Sequence, residues 1–259
     1  MRKYFRKAAI STICMLVVAI MSLTGATYAW FSSATSAEIK GFQMEIGAAG
    51  TGLQIAEVTA DGTLDWGNTI DFEASLSEVQ PSSTIDGVNF YTATVDANST
   101  NTIVGTQLVA DASEVAIIKQ FRIRNTGSNT VTATIGTQLS DIFSTTEKED
   151  SDEAQVINCA RIALFDENDA LVWAYGELDN MLGIGGVGSG QVDTKDNTVV
   201  KDLDAKFTED LSKCTIAVPS NSDDDGYLYT IKVWLEGQDD QCNNKVELSD
   251  FAVKLNIQA

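Results

Sequence analysis

Gly183-Ile184-Gly185-Gly186-Val187-Gly188 has the spacing G-x-G-x-x-G, and Asn221-Ser222-Asp223-Asp224-Asp225-Gly226 has the alternating oxygens and closing glycine that open a calcium loop. The first spacing binds a dinucleotide only where a strand leads into the glycines and a helix leaves them, so that amide groups converge on a phosphate. Leu178-Asp179-Asn180-Met181 before it and Gln191-Val192-Asp193-Thr194-Lys195-Asp196 after it supply neither, so the sequence predicts a glycine-bearing loop. In the second motif the twelfth position, which should hold a bidentate carboxylate, is Lys232, a cation that would repel the metal. An acidic turn before a strand is expected there. Loose calcium binding by Asp223 and Asp225 is the most it offers, since Asp239 and Asp240 lie at the far end of that strand, roughly 30 Å away at ~3.3 Å per residue. No catalytic residue, resident cofactor or structural metal is expected.

The absence of histidine removes the commonest general base and the commonest zinc ligand together. An HExxH site, a Ser-His-Asp triad and a Cys-His pair are all excluded. Carboxylate pairs can still do acid–base work, but with 37 Asp and Glu residues any one pair reads first as a solvated face. The sequence points away from an enzyme. Cys159, Cys214 and Cys242 follow Cys14 of the N-terminal segment, an odd set that allows one disulfide and a spare thiol, or none in a reducing habitat. Cys159, inside apolar Val156–Ile162, reads as a buried thiol. The pairing stays open, with Cys214 to Cys242 as the working expectation. Trp66, Trp173 and Trp234 offer rings that could stack on sugars or pack a core.

These residues hang on a β scaffold. Phe42, Met44 and Ile46 alternate with polar neighbours, as do Phe251, Val253, Leu255 and Ile257, and Tyr227, Tyr229, Ile231, Val233 and Leu235. Ile117, Phe121 and Ile123 face one way, Asn125-Thr126-Gly127-Ser128-Asn129 turns, and Val131, Ala133 and Ile135 return, which predicts a hairpin. Further strands are expected at 52–58, 88–95, 156–165, 170–175 and 214–218, with Asp166-Glu167-Asn168-Asp169 as a hairpin tip and short helical turns near 138–143 and 204–211. Residues 145–153 and 176–197 read as insertions. The pattern predicts an all-β fold, an antiparallel two-sheet sandwich of jelly-roll type, as one domain over residues 30–259.

Ahead of the scaffold, Arg2, Lys3, Arg6 and Lys7 form a basic head, residues 8–23 carry no charge, and Ala26-Thr27-Tyr28-Ala29 supplies small residues. This is the form of a secretion signal over residues 1–29, with Thr27 and Ala29 three and one residues before the cut and Trp30 as the new N-terminus. The alternative is an uncut anchor over residues 8–29, whose apolar length falls just short of the ~20 residues a spanning helix needs. Cleavage would remove four of the 17 basic residues and none of the 37 acidic ones, moving the formal charge from −20 to −24. So acidic a surface repels nucleic-acid phosphates and anionic lipid, and neither nucleic acid nor, after cleavage, a membrane is an expected partner. Self-association should need salt, divalent cations or lower pH.

Thr27-Tyr28-Ala29-Trp30-Phe31-Ser32-Ser33 followed by an alternating strand resembles the signal type cut by SipW-class signal peptidases. Gly52-Leu53-Gln54-Ile55 with Asp61-Gly62 and Trp66, then Trp234-Leu235-Glu236-Gly237-Gln238-Asp239-Asp240-Gln241-Cys242 and the closing strand, resemble secreted members of the TasA and camelysin family. The resemblance is specific over residues 20–46 and 227–258 and general between them. It implies a SipW-type peptidase as processing partner, export to the extracellular matrix or cell surface, and biofilm-type fibres built by donation of the N-terminal segment. Camelysin-type relatives have been regarded as metalloproteases, and the residues of this chain give that activity no physical basis.

Trp30-Phe31-Ser32-Ser33-Ala34-Thr35-Ser36-Ala37 is apolar at its tip, small beyond it, and followed by the strand 38–46. Such a segment can add as a strand to a neighbouring copy, with Trp30, Phe31, Ile39, Phe42, Met44 and Ile46 as the contact residues. A head-to-tail contact of this kind does not close and yields a filament of the chain with itself. The competing expectation is that strand 38–46 pairs within its own chain. Against the fibre subunit stand two other readings: a monomeric surface module binding glycans through Trp66, Trp173 and Trp234, and a camelysin-like surface protease.

Overall fold

The computed structural model describes residues 37–47, 52–72, 78–84, 87–95, 103–135, 143–144, 159–176, 207–208, 210–220, 225–237, 242 and 250–258. The first sheet runs β14 (Thr215–Val218), β9 (Val131–Ile135), β16 (Asp250–Gln258), β1 (Ala37–Ile46), β3 (Thr69–Phe72), with β10 (Phe143–Ser144) also on β16 and β4 (Glu78–Val79) also on β1. The second runs β13 (Phe207–Thr208), β12 (Leu171–Tyr175), β11 (Ala160–Asp166), β15 (Tyr227–Leu235), β8 (Ala116–Asn125), β2 (Leu53–Glu57). A third, smaller sheet holds β5 (Ser83–Thr84), β6 (Phe90–Val95) and β7 (Ile103–Leu108).

Period-two alternation is what joins the sheets. Phe42, Met44, Phe251, Val253 and Leu255 from the first sheet and Ile117, Phe121, Ile123, Ile231 and Val233 from the second are buried in one continuous core, each worth ~1.5–3 kcal/mol of transfer free energy. The opposite face of the second sheet is also covered. Ala116, Ala163, Phe165, Ala174 and Trp234 on that face pack with Phe90 of β6 and Val115 as a second cluster. β11 is consequently buried from Ala160 to Phe165 on both faces, and its sequence, apolar there but for the buried Arg161, does not alternate.

The all-β sandwich expected from the sequence is present. Two pairings are parallel, β1 with β16 and β12 with β13, so a jelly-roll order does not follow from these pairings. The hairpin at 166–169 forms as expected: Asp166 N donates to Ala170 O at 2.9 Å, Asp166 Oδ1 accepts from the amides of Asn168 and Ala170, and Asp169 takes a left-handed φ of 58°.

The hairpin expected across 117–135 does not form. β8 pairs with β15 and β2 in the second sheet, whereas β9 pairs with β14 and β16 in the first. Asn125 is the physical reason. Buried at the corner, its side-chain amide donates to Asn129 O at 2.8 Å and Val218 O at 3.2 Å, and its carbonyl oxygen accepts from Gly127 N at 2.8 Å. This tie turns the chain across the sandwich instead of back along β8. Of the expected helical turns, 138–142 lies outside the described residues, and 204–211 gives strand β13 and a 3-10 turn at Leu211–Lys213 capped by Asp210.

Candidate functional site

The first strand of the scaffold lies inside the first sheet, paired on both edges. β16 takes one edge in parallel, with Ile39 beside Phe251, Phe42 beside Val253, Met44 beside Leu255 and Ile46 beside Ile257. On the other edge β3 runs antiparallel, Phe42 opposite Phe72 and Met44 opposite Ile70, and β4 continues that edge with Ala37 opposite Val79. Register slips between Ile39 and Gly41, where a bulge adds one residue to β1. That is why the buried set changes parity from Ala37 and Ile39 to Phe42, Met44 and Ile46.

Side chains fix the strand as firmly as the ladder does. The rings of Phe42 and Phe72 are 4.9 Å apart at 39°. At the end of the strand Ile46 N donates to Asn68 O and Gly47 N to Ile257 O, both at 2.8 Å. On the outer face Lys254 Nζ lies 3.0 Å from Glu45 Oε2, a half-exposed pair worth less than ~1 kcal/mol. Without β1 the sheet would hold a slot with two open ladder edges and an apolar wall of Ile70, Phe72, Val253, Leu255 and Ile257.

Four of the six residues expected to mediate assembly, Ile39, Phe42, Met44 and Ile46, are thus brought together as one buried row in the chain's own core. Trp30 and Phe31, and Thr27 and Ala29 of the expected cleavage site, lie outside the described residues, as do the G-x-G-x-x-G stretch at 183–188, the insertion expected at 145–153, and Asp223, Asp239 and Asp240. Asp225 is exposed, and its carbonyl and that of Gly226 accept from Arg122 Nη1 at 3.1 and 3.2 Å. Sequence reasoning missed β3 and β4, the antiparallel edge of the slot. Thr69-Ile70-Asp71-Phe72 alternates over only four residues, the one signal that could have marked it.

The tryptophans do not make a sugar-stacking strip. Trp173 is buried in the main core and Trp234 in the second cluster, on opposite faces of the same sheet. Half-buried Trp66 has the Arg124 guanidinium 4.2 Å from its ring centroid. Nor does the expected bridge form: Cys159, Cys214 and Cys242 are all buried and none is in a disulfide. Burial, aided by the charge of Asp210, pushes the Cys214 thiol up to about 12, so it carries no thiolate at neutral pH. Among the described residues no group of three or more Cys, Asp or Glu is placed to hold a metal ion, and no helix is long and apolar enough to cross a membrane. Comparison with family models, with curated proteins and with solved structures finds no match to this chain.

Proposed function

We propose that this chain is an exported, non-enzymatic structural subunit that polymerises head to tail into extracellular or cell-surface fibres of a biofilm-type matrix, each copy's β1 filling the slot of the next. β1 pairs within its own chain, and what supports the reading is that it does so parallel to the last strand with its apolar row in the core. A strand from another copy can make the same ladder bonds and bury the same side chains. Parallel neighbours cannot share a tight hairpin, so no short turn ties β1 to β16. The only covalent tie between β1 and the rest of the scaffold is the small-residue run Gly47-Ala48-Ala49-Gly50-Thr51-Gly52 leading to β2.

Exchange breaks and remakes equal contacts, so its balance is set by the cost of joining copies and by charge. The basic head, apolar run and Thr27-Tyr28-Ala29-Trp30-Phe31 junction support export, and Trp30 and Phe31 would lengthen the donor. A processed charge of −24 opposes association at low salt, four basic residues having left with the signal from a chain of −20. Negative-stain electron microscopy of residues 30–259 over a salt and calcium series tests the reading. Regular filaments that appear as charge is screened are expected, and monomers at every ionic strength would sink it.

A further inference from the structure

Residues 78–84 touch all three sheets within seven positions. Glu78 and Val79 pair with Glu38 and Ala37 at the start of β1. Ser82 bridges Glu236 just past the end of β15, its amide donating to Leu235 O at 3.0 Å and its carbonyl accepting from Gly237 N at 3.0 Å. Ser83 and Thr84 pair with Tyr91 and Phe90 of the third sheet. The segment is a strap across the sandwich whose first residues grip β1.

Its anchor is polar and buried. Ser82, Ser83 and Thr84 are three consecutive hydroxyl side chains with almost no exposure, and Glu236 beneath them is 2% exposed. Ser83 Oγ donates to Glu236 Oε1 at 2.6 Å, and Trp234 Nε1 donates to Glu236 Oε2 at 3.1 Å. Beyond the strap, Gly87 N donates to Thr84 Oγ1 at 2.8 Å, and Gly87 O accepts from buried Lys232 Nζ at 2.8 Å. Gly87 has φ +68°, and a Cβ there would stand 2.6 Å from the Phe165 ring, so the backbone approach needs glycine. A buried carboxylate bonded at both oxygens holds a fixed position, because losing either donor costs a hydrogen bond to a desolvated charge. Only Gln80 and Pro81 separate Val79 from Ser82, so the grip on β1 is positioned by the anchor.

We propose that the strap is a latch on β1: while Ser83 holds Glu236, Glu78 and Val79 keep the start of β1 paired, and release of that contact frees the strand from its N-terminal end for exchange between copies. The latch rests on the reading of β1 as the exchanged strand only in its consequence for assembly. Its mechanical part, strap and strand opening together, is independent of fibres.

Hydrogen exchange of the processed chain tests it. In native wild-type protein at low urea, amides of 78–84 and of 37–46 should open in one step, ahead of β11. In Ser83→Ala, loss of one bond to a buried carboxylate should speed exchange of β1 roughly ten- to hundredfold, with β11 unchanged. Thr84→Ala, which removes the acceptor of the Gly87 amide without touching β1, should give the same pattern. Strap and strand opening at unrelated urea dependences, or faster exchange of 78–84 with β1 unmoved, would overturn the latch. The wild-type series decides even where a variant fails to fold. Coupled opening in a chain that never leaves the monomer, by light scattering at any ionic strength, would uphold the latch and refute the fibre reading.

Discussion

Met44 in the first strand of the scaffold and Leu255 in the last lie side by side in parallel register, both without exposed surface. Their connection is nearly the whole chain, so β1 cannot complete this edge until β16 exists, and such non-local pairing is slow to form. A strand that waits for its partner, and that returns to a slot closed by no hairpin, is a candidate for capture by another copy.

The row of Ile39, Phe42, Met44 and Ile46 should therefore govern monomer stability. Met44→Ala and Leu255→Ala are each expected to cost about 2–5 kcal/mol in urea unfolding, through lost burial and a residual cavity. Glu45→Ala, which breaks only the half-exposed pair with Lys254, should cost less than ~1 kcal/mol.

Gly226, beside Asp225 at the start of β15, is a glycine for a structural reason. Its φ is +60°, and a Cβ would lie 2.7 Å from Ile123 O and 2.7 Å from the Trp66 ring. Gly226→Ala should destabilise by about 1–3 kcal/mol and shift the fluorescence of Trp66 as its ring is displaced.

Asn125→Ala removes the corner that carries the chain between sheets. With Val218 O and Asn129 O losing a donor and Gly127 N losing its acceptor, a cost of about 2–4 kcal/mol is expected in thermal unfolding. Asn125→Asp, which keeps the acceptor to Gly127 N but loses both donations, should not restore stability.

Stability should fall at both pH extremes. The Cys214 thiol is raised by burial and by Asp210 from 9.0 to about 12 in the fold, so its contribution is complete below pH 9 and is lost as pH rises from there towards 12. At the acid end Asp61, Asp111 and Asp210 sit below 3.8, held there first by hydroxyl donors from Thr59, Ser113 and Ser212 respectively. Their contribution is present above 3.8 and disappears as pH falls through the folded values. All three are exposed, so the acid loss should be small. Denaturant midpoints measured from pH 2 to 11 check both arms, and a thiol reagent at pH 8 should leave Cys214 unmodified until the chain unfolds.

The sequence makes the long alternating strands legible because a half-buried strand must write its burial into every second residue. β16 is an example, and the parity change between Ile39 and Phe42 even records the bulge in β1. Two-residue strands such as β4 and β5 leave no periodic trace, since main-chain bonds and neighbours such as Glu236 define them. Partner choice was equally hidden. Phe42 reads as core whether its neighbour is Val253 of its own chain or of another, and Asn125 looks like turn punctuation until its bond to Val218 is seen. Burial of Trp173 and Trp234 on opposite faces of one sheet likewise follows from register, which composition does not carry.

The origin of β1 in a filament is the most direct test. Ala37 and Val79 are buried and directly opposite across an antiparallel pair, a spacing of ~4.5–5.5 Å between Cβ atoms that small adjustments can bridge with a disulfide. Filaments of Ala37→Cys/Val79→Cys protein would be oxidised mildly, blocked with alkylating reagent and run on a non-reducing denaturing gel. The parent protein without the two new cysteines, in which Cys159, Cys214 and Cys242 are buried, serves as the unlinked control. Strand exchange predicts a ladder of covalent multimers that collapses to one band with reductant. Filaments yielding only internally linked monomer would place β1 in its own chain and contradict the account.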